Sequence, residues 1–473
     1  MNTSYKKYVK FDKKIVMIGF GCIGQAVLPL LLRHLEIKPE QIVILTKKDD
    51  GAQIAKEHGV SFQICPLTKE NYLPLLNQHL SQGDFLLNLS VDVSSIDLIR
   101  FCQEKGALYL DTCIEPWAGG YIDHHLPSSQ RSNYYLREAA LTLRKETNNT
   151  STAVLTHGAN PGLVSHFVKQ ALLNMAKDTG LTISTPQTRS QWAKLAQQLE
   201  IKVIHIAERD TQIAAEPKRP GEFVNTWSID GFVSEGSQPA ELGWGSHERH
   251  FPHDGHHHDF GSQCAIYLNR PGASTRVRTW TPLAGSFHGF LITHGESISI
   301  SNYLTVKEGE TLHYRPTVHY AYHPCEDAVL SVHELAGREW YQQDQQRLLF
   351  NEIIDGIDEL GVLLMGNAKG AYWFGSQLSI HEARDLAPYN TATSLQVAVG
   401  VLSGVAWAME NPQKGIVEPD EIDFKFIMDI ALPYLGEVVG HYTDWTPLKE
   451  RGRLFPEAID HNDPWQFVNI RVN

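Results

Sequence analysis

The chain has 473 residues, of which 42% are hydrophobic and 20% charged, and its formal net charge at pH 7 is −13. This length suits two or three domains, and the composition is that of an ordinary globular protein. The acidic balance disfavours a surface for nucleic acid or for an anionic membrane. The six cysteines include no C-x-x-C pair, which argues against a structural zinc site and a secreted disulfide framework.

Two features bear on location. The N-terminal residues contain no apolar segment of the kind found in signal peptides. The longest apolar stretch, residues 395–409, is too short to span a bilayer and predicts a buried core helix instead. We therefore expect a soluble protein of the cytoplasm.

Between residues 13 and 160, short apolar runs alternate with longer helix-like segments. Continuous apolar runs separated in this way indicate a parallel sheet that is covered on both faces. Six runs match the strand count of a doubly wound fold, at residues 15–18, 42–45, 60–64, 85–89, 107–110 and 153–155. We predict an α/β protein with an N-terminal Rossmann domain over residues 12–155.

The pattern changes after Pro161. Asn160 is suited to cap a helix there, and Pro161 to its first turn. Further strands are predicted near residues 201–207, 223–229, 264–268 and 290–293, a loop rich in histidine and glycine at 245–261, and a helix at 392–410. We predict a larger mixed α+β domain over residues 156–473 for substrate binding and dimerisation, with a later segment able to pack back on the first domain.

The motif at residues 19–24, G-F-G-C-I-G, directly follows the first predicted strand and opens a helical segment. Gly19 permits the tight turn, Gly21 lets the backbone approach a pyrophosphate, and Gly24 lets the helix pack on the strand. The phosphates then meet the N–H groups at the helix N-terminus. We predict that this loop, including Cys22 and Ile23, binds a dinucleotide.

The end of the second predicted strand leaves the choice of dinucleotide open. The acid that normally binds the adenosine ribose is replaced by Thr46-Lys47-Lys48, and Asp49 and Asp50 follow. A lysine favours the 2′-phosphate of NADP, whereas an aspartate suits the ribose hydroxyls of NAD. We expect Thr46 to contact the cofactor in either case.

Ligands of open α/β sheets lie outside the carboxyl ends of the strands. Here these ends carry Asp92, Thr112, Glu115, Asn160 and Pro161. We predict that Asp92, Thr112, Asn160 and Pro161 contact the cofactor, and that Asp92 and Glu115 face the substrate. Either acid is also a candidate helix N-cap.

At these positions the chain resembles the bacterial homospermidine synthases of the saccharopine dehydrogenase-like superfamily. The resemblance covers nearly the whole chain and rests on residues 19–24, 111–117, 156–162, 205–210, 225–228 and 293–296. It implies a homodimeric enzyme that joins two putrescines into homospermidine and releases ammonia. Retained NAD takes hydride from the amine-bearing carbon, a second amine replaces ammonia at the resulting imine, and the hydride returns. Spermidine is a further candidate substrate.

The resemblance also implies the roles of particular residues. Glu208, His294, Asn160 and Glu115 are expected to be catalytic, and Trp227, Glu235, Asp92 and Glu208 to bind substrate. The chemistry is consistent, because an ammonium must lose a proton to a base before it gives up hydride. Its distal ammonium is best held by carboxylates or an aromatic face, the latter contributing about 0.5–2 kcal/mol. A histidine suits a proton shuttle near neutral pH.

Structural alternatives stand beside these roles. Trp227 would be a packed core residue, and Glu208 would form a salt-bridge triplet with Arg209 and Asp210. Glu235 would be a solvated loop acid and His294 a satisfied core histidine. The run at residues 253–259, with His247 and His250 nearby, has residue types that suit zinc but is interpreted as a loop, and no metal is predicted.

Two other functions remain open. A saccharopine or carboxynorspermidine type of NAD(P)-dependent dehydrogenase binds a substrate carboxylate and needs a basic side chain in its pocket, for which Arg209 and Lys369 are available. A non-catalytic dinucleotide sensor would need the glycine loop but not the acids.

Overall fold

A computed structural model describes residues 5–147 and 151–472 of the chain. Its N-terminal part is built on a seven-stranded parallel sheet. From one edge to the other the strands are Ile416–Val417, Ala153–Val154, Leu108–Asp111, Phe85–Asn88, Ile15–Ile18, Ile42–Thr46 and Ser61–Ile64. All six predicted runs form strands, with ends within one residue of their predictions. The Rossmann fold is thereby confirmed.

Helices cover this sheet because apolar strands such as Ile15–Ile18 are fully buried and must be shielded on both faces. Two of the helices start where the hydroxyls of Ser94 and Ser132 accept hydrogen bonds from backbone N–H groups three residues on. The helices of this part are Cys22–His34, Ala52–Glu57, Tyr72–His79, Ser95–Lys105 and Asn133–Glu146.

The seventh strand comes from far along the chain. Ile416–Val417 pairs in parallel with Ala153–Val154 and forms the edge of the first sheet. It follows the apolar helix Ala392–Glu410, which packs against Cys22–His34. This helix is long and apolar enough to cross a membrane, but 94% of its apolar window is buried inside the protein. It is a core helix, as predicted.

The second part is built on an eleven-stranded mixed sheet. Its main path runs through Gly255–His257, Ala265–Pro271, Pro239–Gly243, Thr317–His323, Val203–Asp210, Ile357–Met365, Ala371–Ser379 and Glu437–Thr443. Three strands branch from it, Arg276–Thr281, Gly285–Phe290 and Arg471–Val472. The strand Val203–Asp210 is central, parallel to one neighbour and antiparallel to the other. The predicted larger mixed domain is confirmed.

The remaining elements surround this sheet. Its helices are Leu163–Asp178, Arg189–Gln198, Ile229–Ser237, Gly295–Tyr303, Glu326–Gly337, Ile380–Leu386, Phe424–Ala431 and Phe467–Ile470. Four two-stranded pairs complete the structure, Val9–Lys10 with Leu35–Glu36, Ile213–Ala214 with Ile353–Asp355, Glu222–Asn225 with Gln345–Leu348, and Val306–Glu308 with Thr311–Tyr314.

Three predictions at element ends were wrong. The helix after Pro161 begins at Leu163 with Gly162 at its cap, so Asn160 caps nothing and its side chain is directed across the crevice. The strand predicted at 223–229 ends at Asn225, because Ser228 caps a helix that starts at Ile229. The strand predicted at 290–293 instead spans Gly285–Phe290.

Candidate active site

The glycine loop has the geometry that a dinucleotide requires. Gly19 has φ +84°, and a Cβ there would lie 2.7 Å from the carbonyl oxygen of Leu89. A Cβ on Gly24 would lie 3.0 Å from the Gly19 carbonyl oxygen, so helix and strand touch. A Cβ on Gly21 would meet nothing within 4 Å, and no side chain caps the helix Cys22–His34. Open space and uncapped N–H groups suit a pyrophosphate.

The ends of the neighbouring strands are tied together beside this loop. Asp111 accepts hydrogen bonds from the Thr156 N–H at 2.6 Å and the Tyr109 hydroxyl at 2.7 Å. Thr112 and Asn160 are half-buried next to this junction. Thr46 is buried at the end of its strand, whereas Lys47, Lys48, Asp49 and Asp50 are all exposed. The geometry therefore favours neither NAD nor NADP.

The two acids predicted at the strand ends differ in environment. Asp92 is exposed with φ +64°, and Ser94 caps the following helix, so the N-cap alternative for Asp92 was wrong. Glu115 is buried, and its backbone exchanges hydrogen bonds with Ser95 at 2.9 and 3.0 Å. Burial, together with the charges of Glu235 and Asp92, raises the pKa of Glu115 to about 8.

Glu208 lies on the central strand of the second sheet. Its Oε2 accepts hydrogen bonds from the Asn160 amide at 2.9 Å and from the Tyr320 hydroxyl at 2.5 Å. Burial raises the pKa of Glu208 to about 7, and the charge of Asp210 acts in the same direction. Arg209 is directed to Glu326 at 2.8 Å, since neighbouring strand residues point to opposite faces. The salt-bridge triplet was therefore wrong.

His294 is held between two carboxylates. Its Nε2 lies 2.9 Å from Glu235 Oε2, and its Nδ1 lies 3.2 Å from Glu296 Oε1. Burial alone would lower the pKa of His294, but the charges of Glu296 and Glu235 raise it well above its ordinary value. Glu235 is buried on the helix Ile229–Ser237, so the alternative of a solvated loop acid was wrong.

The Cys113 thiol lies between Glu115 of the first domain and Glu235 of the second. Cys113 Sγ lies 3.8 Å from Glu235 Oε1, and its hydrogen bond to Glu115 favours the ionised form of that carboxyl. The strand ends of the first sheet and the helix of the second part therefore meet around Glu115, Cys113 and Glu235.

Trp227 lies half-buried between strand and helix. Its indole N–H donates to the Tyr322 hydroxyl at 2.9 Å, and its ring packs against Phe232 with centroids 5.3 Å apart. Tyr322 in turn stacks on Tyr320 at 5.1 Å. The indole is thus held by one hydrogen bond and one packing contact. The stacked rings of Tyr322 and Tyr320 connect it to Glu208, which accepts a hydrogen bond from Tyr320.

Four residues of this site were missed by sequence reasoning: Glu296, Tyr320, Tyr322 and Asp358. Asp358 lies opposite Asp210 in register, and burial, with the charges of Glu208 and Asp210, raises its pKa well above the ordinary value. The alternation of Tyr320 and Tyr322 within T-V-H-Y-A-Y-H is a strand signal that would have placed both on one face. Glu296 ends a motif that the sequence analysis had already singled out.

The site is acidic. Among the described residues, the hydrogen bonds and ion pairs of Glu115, Glu208, Glu235 and Glu296 include none from arginine or lysine. Lys369 instead reaches the carbonyl oxygen of Asp178 at 3.2 Å and the ring of Tyr442. This crevice is complementary to a cation rather than to a carboxylate.

The histidine-rich run at residues 253–259 is part of the packed fold. Gly255–His257 is the edge strand of the large sheet, Asp254 forms two hydrogen bonds to Arg471 at 2.6 and 2.7 Å, and His258 is buried. Within the described ranges, side-chain atoms spaced to share a metal occur at Asp123, His124 and His125, outside this run.

Fold and site together define a Rossmann-type dinucleotide-dependent enzyme with an acidic pocket between two domains. Residues 15–155 match the saccharopine dehydrogenase NADP binding domain, and residues 158–444 match the saccharopine dehydrogenase C-terminal domain. The chain is 54% identical to the homospermidine synthase of Blastochloris viridis over 99% of both chains. It is 50% identical to that of Mesorhizobium japonicum over 100% of this chain and 99% of the relative.

A solved structure agrees with these relatives. The crystal structure of the Legionella pneumophila homospermidine synthase in complex with NAD superimposes with a TM-score of 0.92, at 55% identity and over 100% of each chain. The chain belongs to the homospermidine synthases of the saccharopine dehydrogenase-like family. The predicted family is thereby confirmed, and NAD is the cofactor that the comparison supports.

Proposed function

We propose that the protein makes homospermidine by NAD-dependent aminobutyl transfer between two putrescines, with release of ammonia. The observation that carries the proposal is the crevice lined by Glu115, Glu208 and Glu235, to which no arginine or lysine of the described chain is paired. A diamine with two ammonium groups matches this charge, whereas the amino-acid substrate of a saccharopine-type dehydrogenase would bring a repelled carboxylate.

The residues that would hold NAD are those of the glycine loop and the strand ends. They are Gly19, Gly21, Cys22, Ile23, Gly24, Thr46, Asp92, Thr112, Asn160 and Pro161. When bound, NAD supplies the hydride acceptor and later the hydride donor for the carbon that bears the amine. Lys47 and Lys48, which follow Thr46, are exposed and are not among these residues. Because a lysine here favours the 2′-phosphate of NADP, NADP is tested alongside NAD.

Glu208 is the candidate general base. Both of its hydrogen-bond donors reach Oε2, so Oε1 is available to the amine of the substrate. A pKa of about 7 suits a group that accepts a proton from an ammonium near neutral pH. Asn160 and Tyr320 fix its orientation and partly offset the cost of its burial.

The distal ammonium is assigned to Glu115, Glu235 and Asp92. An ammonium between them would favour the ionised form of Glu115, whose pKa of about 8 reflects burial and repulsion without a cation. Trp227 offers its indole face to an ammonium or iminium, worth about 0.5–2 kcal/mol. The carboxylates of Glu296 and Glu235 raise the pKa of His294 well above its ordinary value, which suits it to protonate the leaving amine.

Three further parts of the proposal concern the whole protein. It acts as a homodimer, it works in the cytoplasm, and spermidine is a second amine that the acidic crevice accommodates. Symmetric dimers are the common default for enzymes of this size.

The test is to incubate purified protein, freed of nucleotide, with putrescine and with NAD, NADP or neither, and to follow amines by mass spectrometry. We expect homospermidine and ammonia with NAD, without net NADH. The Glu235→Gln variant should lose activity, whereas its matched control Glu326→Gln, at the start of the helix Glu326–Gly337 and paired with Arg209, should keep it. Stoichiometric NADH or NADPH formation with an amino acid, and no triamine, would instead establish a saccharopine-type dehydrogenase.

A further inference from the structure

One buried acid near His294 has no part in the mechanism above. Glu241 lies on the strand Pro239–Gly243, and its side chain is fully buried. Its Oε2 accepts a hydrogen bond from the Thr293 hydroxyl at 2.8 Å and another from the Asn133 N–H at 2.8 Å. Thr293 is itself fully buried and immediately precedes His294.

Glu241 and Glu235 belong to one short, rigid segment. The helix Ile229–Ser237 carries Glu235, and the strand Pro239–Gly243 follows it directly. This segment therefore holds His294 at two points, through the ring nitrogen that contacts Glu235 and through the residue before it. The position of the imidazole relative to Glu235 therefore depends on this segment through both contacts.

The Glu241 carboxyl group has a different neighbour at each oxygen. The helix Asn133–Glu146 begins at the N–H that donates to Oε2, and the positive end of a helix stabilises a carboxylate. On the other side, His258 Nε2 lies 3.6 Å from Oε1, and the His258 ring stacks on Tyr134 at 3.8 Å. Oε1 and both nitrogens of His258 have no hydrogen-bond partner among the described residues.

We infer that Glu241 is a positioning residue for His294, acting through Thr293, with His258 of the histidine-rich run seated against its second oxygen. The inference rests on the proposed role of His294 and extends it. Within the run at residues 253–259, it gives His258 a structural role beside Glu241.

The decisive variant is Thr293→Val, which keeps the shape of the side chain and removes the donor to Glu241. We expect kcat for homospermidine formation to fall roughly 10- to 100-fold, as for small misplacements of a reacting group. KM for putrescine should stay within about twofold, because the acids that bind the diamine are untouched. Thr293→Ser, which retains the hydroxyl, should restore most of kcat.

A matched control separates positioning from stability. Thr317 is equally buried, and its hydroxyl donates to the buried Glu248 at 2.6 Å, on the opposite face of its strand from Tyr320 and Tyr322. Thr317→Val should lower Tm about as much as Thr293→Val but leave kcat unchanged. If Thr293→Val does not fold, Glu241→Met, which removes the acceptor oxygens, takes its place, and if both fold their effects should not add in the double variant.

The outcomes distinguish this inference from the proposed function. If His294→Gln keeps full activity, the role of His294 fails and the inference with it. If His294→Gln loses activity but Thr293→Val and Glu241→Met keep kcat, the inference alone is overturned. Equal losses of kcat in Thr293→Val and Thr317→Val would show a general effect of lost stability and would also overturn it.

Discussion

Replacing Glu208 by glutamine is expected to stabilise the free protein while abolishing its activity. A carboxyl whose pKa is about 7 in the folded state and 4.5 ordinarily costs about 3 kcal/mol once both states are ionised. Below pH 4.5 the carboxyl is protonated in both states and costs nothing. As the pH rises from 4.5 to 7 the unfolded chain ionises first, so stability is lost over this window.

The glutamine variant lacks this titration and still offers an oxygen to Asn160 and Tyr320. Thermal melts of both proteins without putrescine should coincide near pH 4.5, and the variant should melt higher at pH 8. Bound NAD, measured after denaturation, should be equal in the two proteins, and homospermidine formation should be lost in the variant. A variant that melts lower at both pH values, or one that keeps its activity, would refute the reasoning.

Three other results are expected. In the wild type, kcat/KM should rise with pH through about 7 as Glu208 becomes able to accept a proton, and a flat profile from pH 6 to 8 would contradict this. Gly19→Ala should lower Tm, because a Cβ is strained by the φ of +84° and by the nearby Leu89 carbonyl. Gly21→Ala, which has open space for a Cβ, should keep Tm but bind less NAD. The reverse pattern would contradict the described geometry of the loop. Trp227→Leu should raise KM for putrescine by up to about 30-fold, and Trp227→Phe, which keeps an aromatic face but loses the N–H donor to Tyr322, by clearly less. Equal effects of the two would assign the loss to packing.

The first domain was predictable because its signals are local. Continuous apolar runs follow directly from strands that are buried on both faces. Gly19, Gly21 and Gly24 are required within a few residues, for the turn, for the approach of the ligand and for the contact between helix and strand, respectively. Asn160, just beyond this domain, was wrongly expected to cap a helix. A capping signal is also local, but here a contact with Glu208, 48 residues on, takes the amide instead.

The second domain was harder for the opposite reason. Its central strand pairs with residues 317–323 and 357–365, so the neighbours of Glu208 are set by long-range register and not by nearby sequence. Tyr320 and Asp358 entered the site through that register alone. The environment of His258 likewise depends on Glu241 and Tyr134, which lie far from it in the chain.

The sheet of the nucleotide-binding domain is complete only with the strand Ile416–Val417, which comes from near the end of the chain. Until it docks, Ala153–Val154 is an open sheet edge, and the apolar helix Ala392–Glu410 has not yet covered Cys22–His34, whose N-terminus opens on the pyrophosphate position. On a ribosome, roughly the first nine-tenths of the polypeptide must emerge before the cofactor-binding half is complete. A fragment ending at residue 155 would expose that edge and an apolar helix face, and should aggregate rather than serve as a transplantable NAD module.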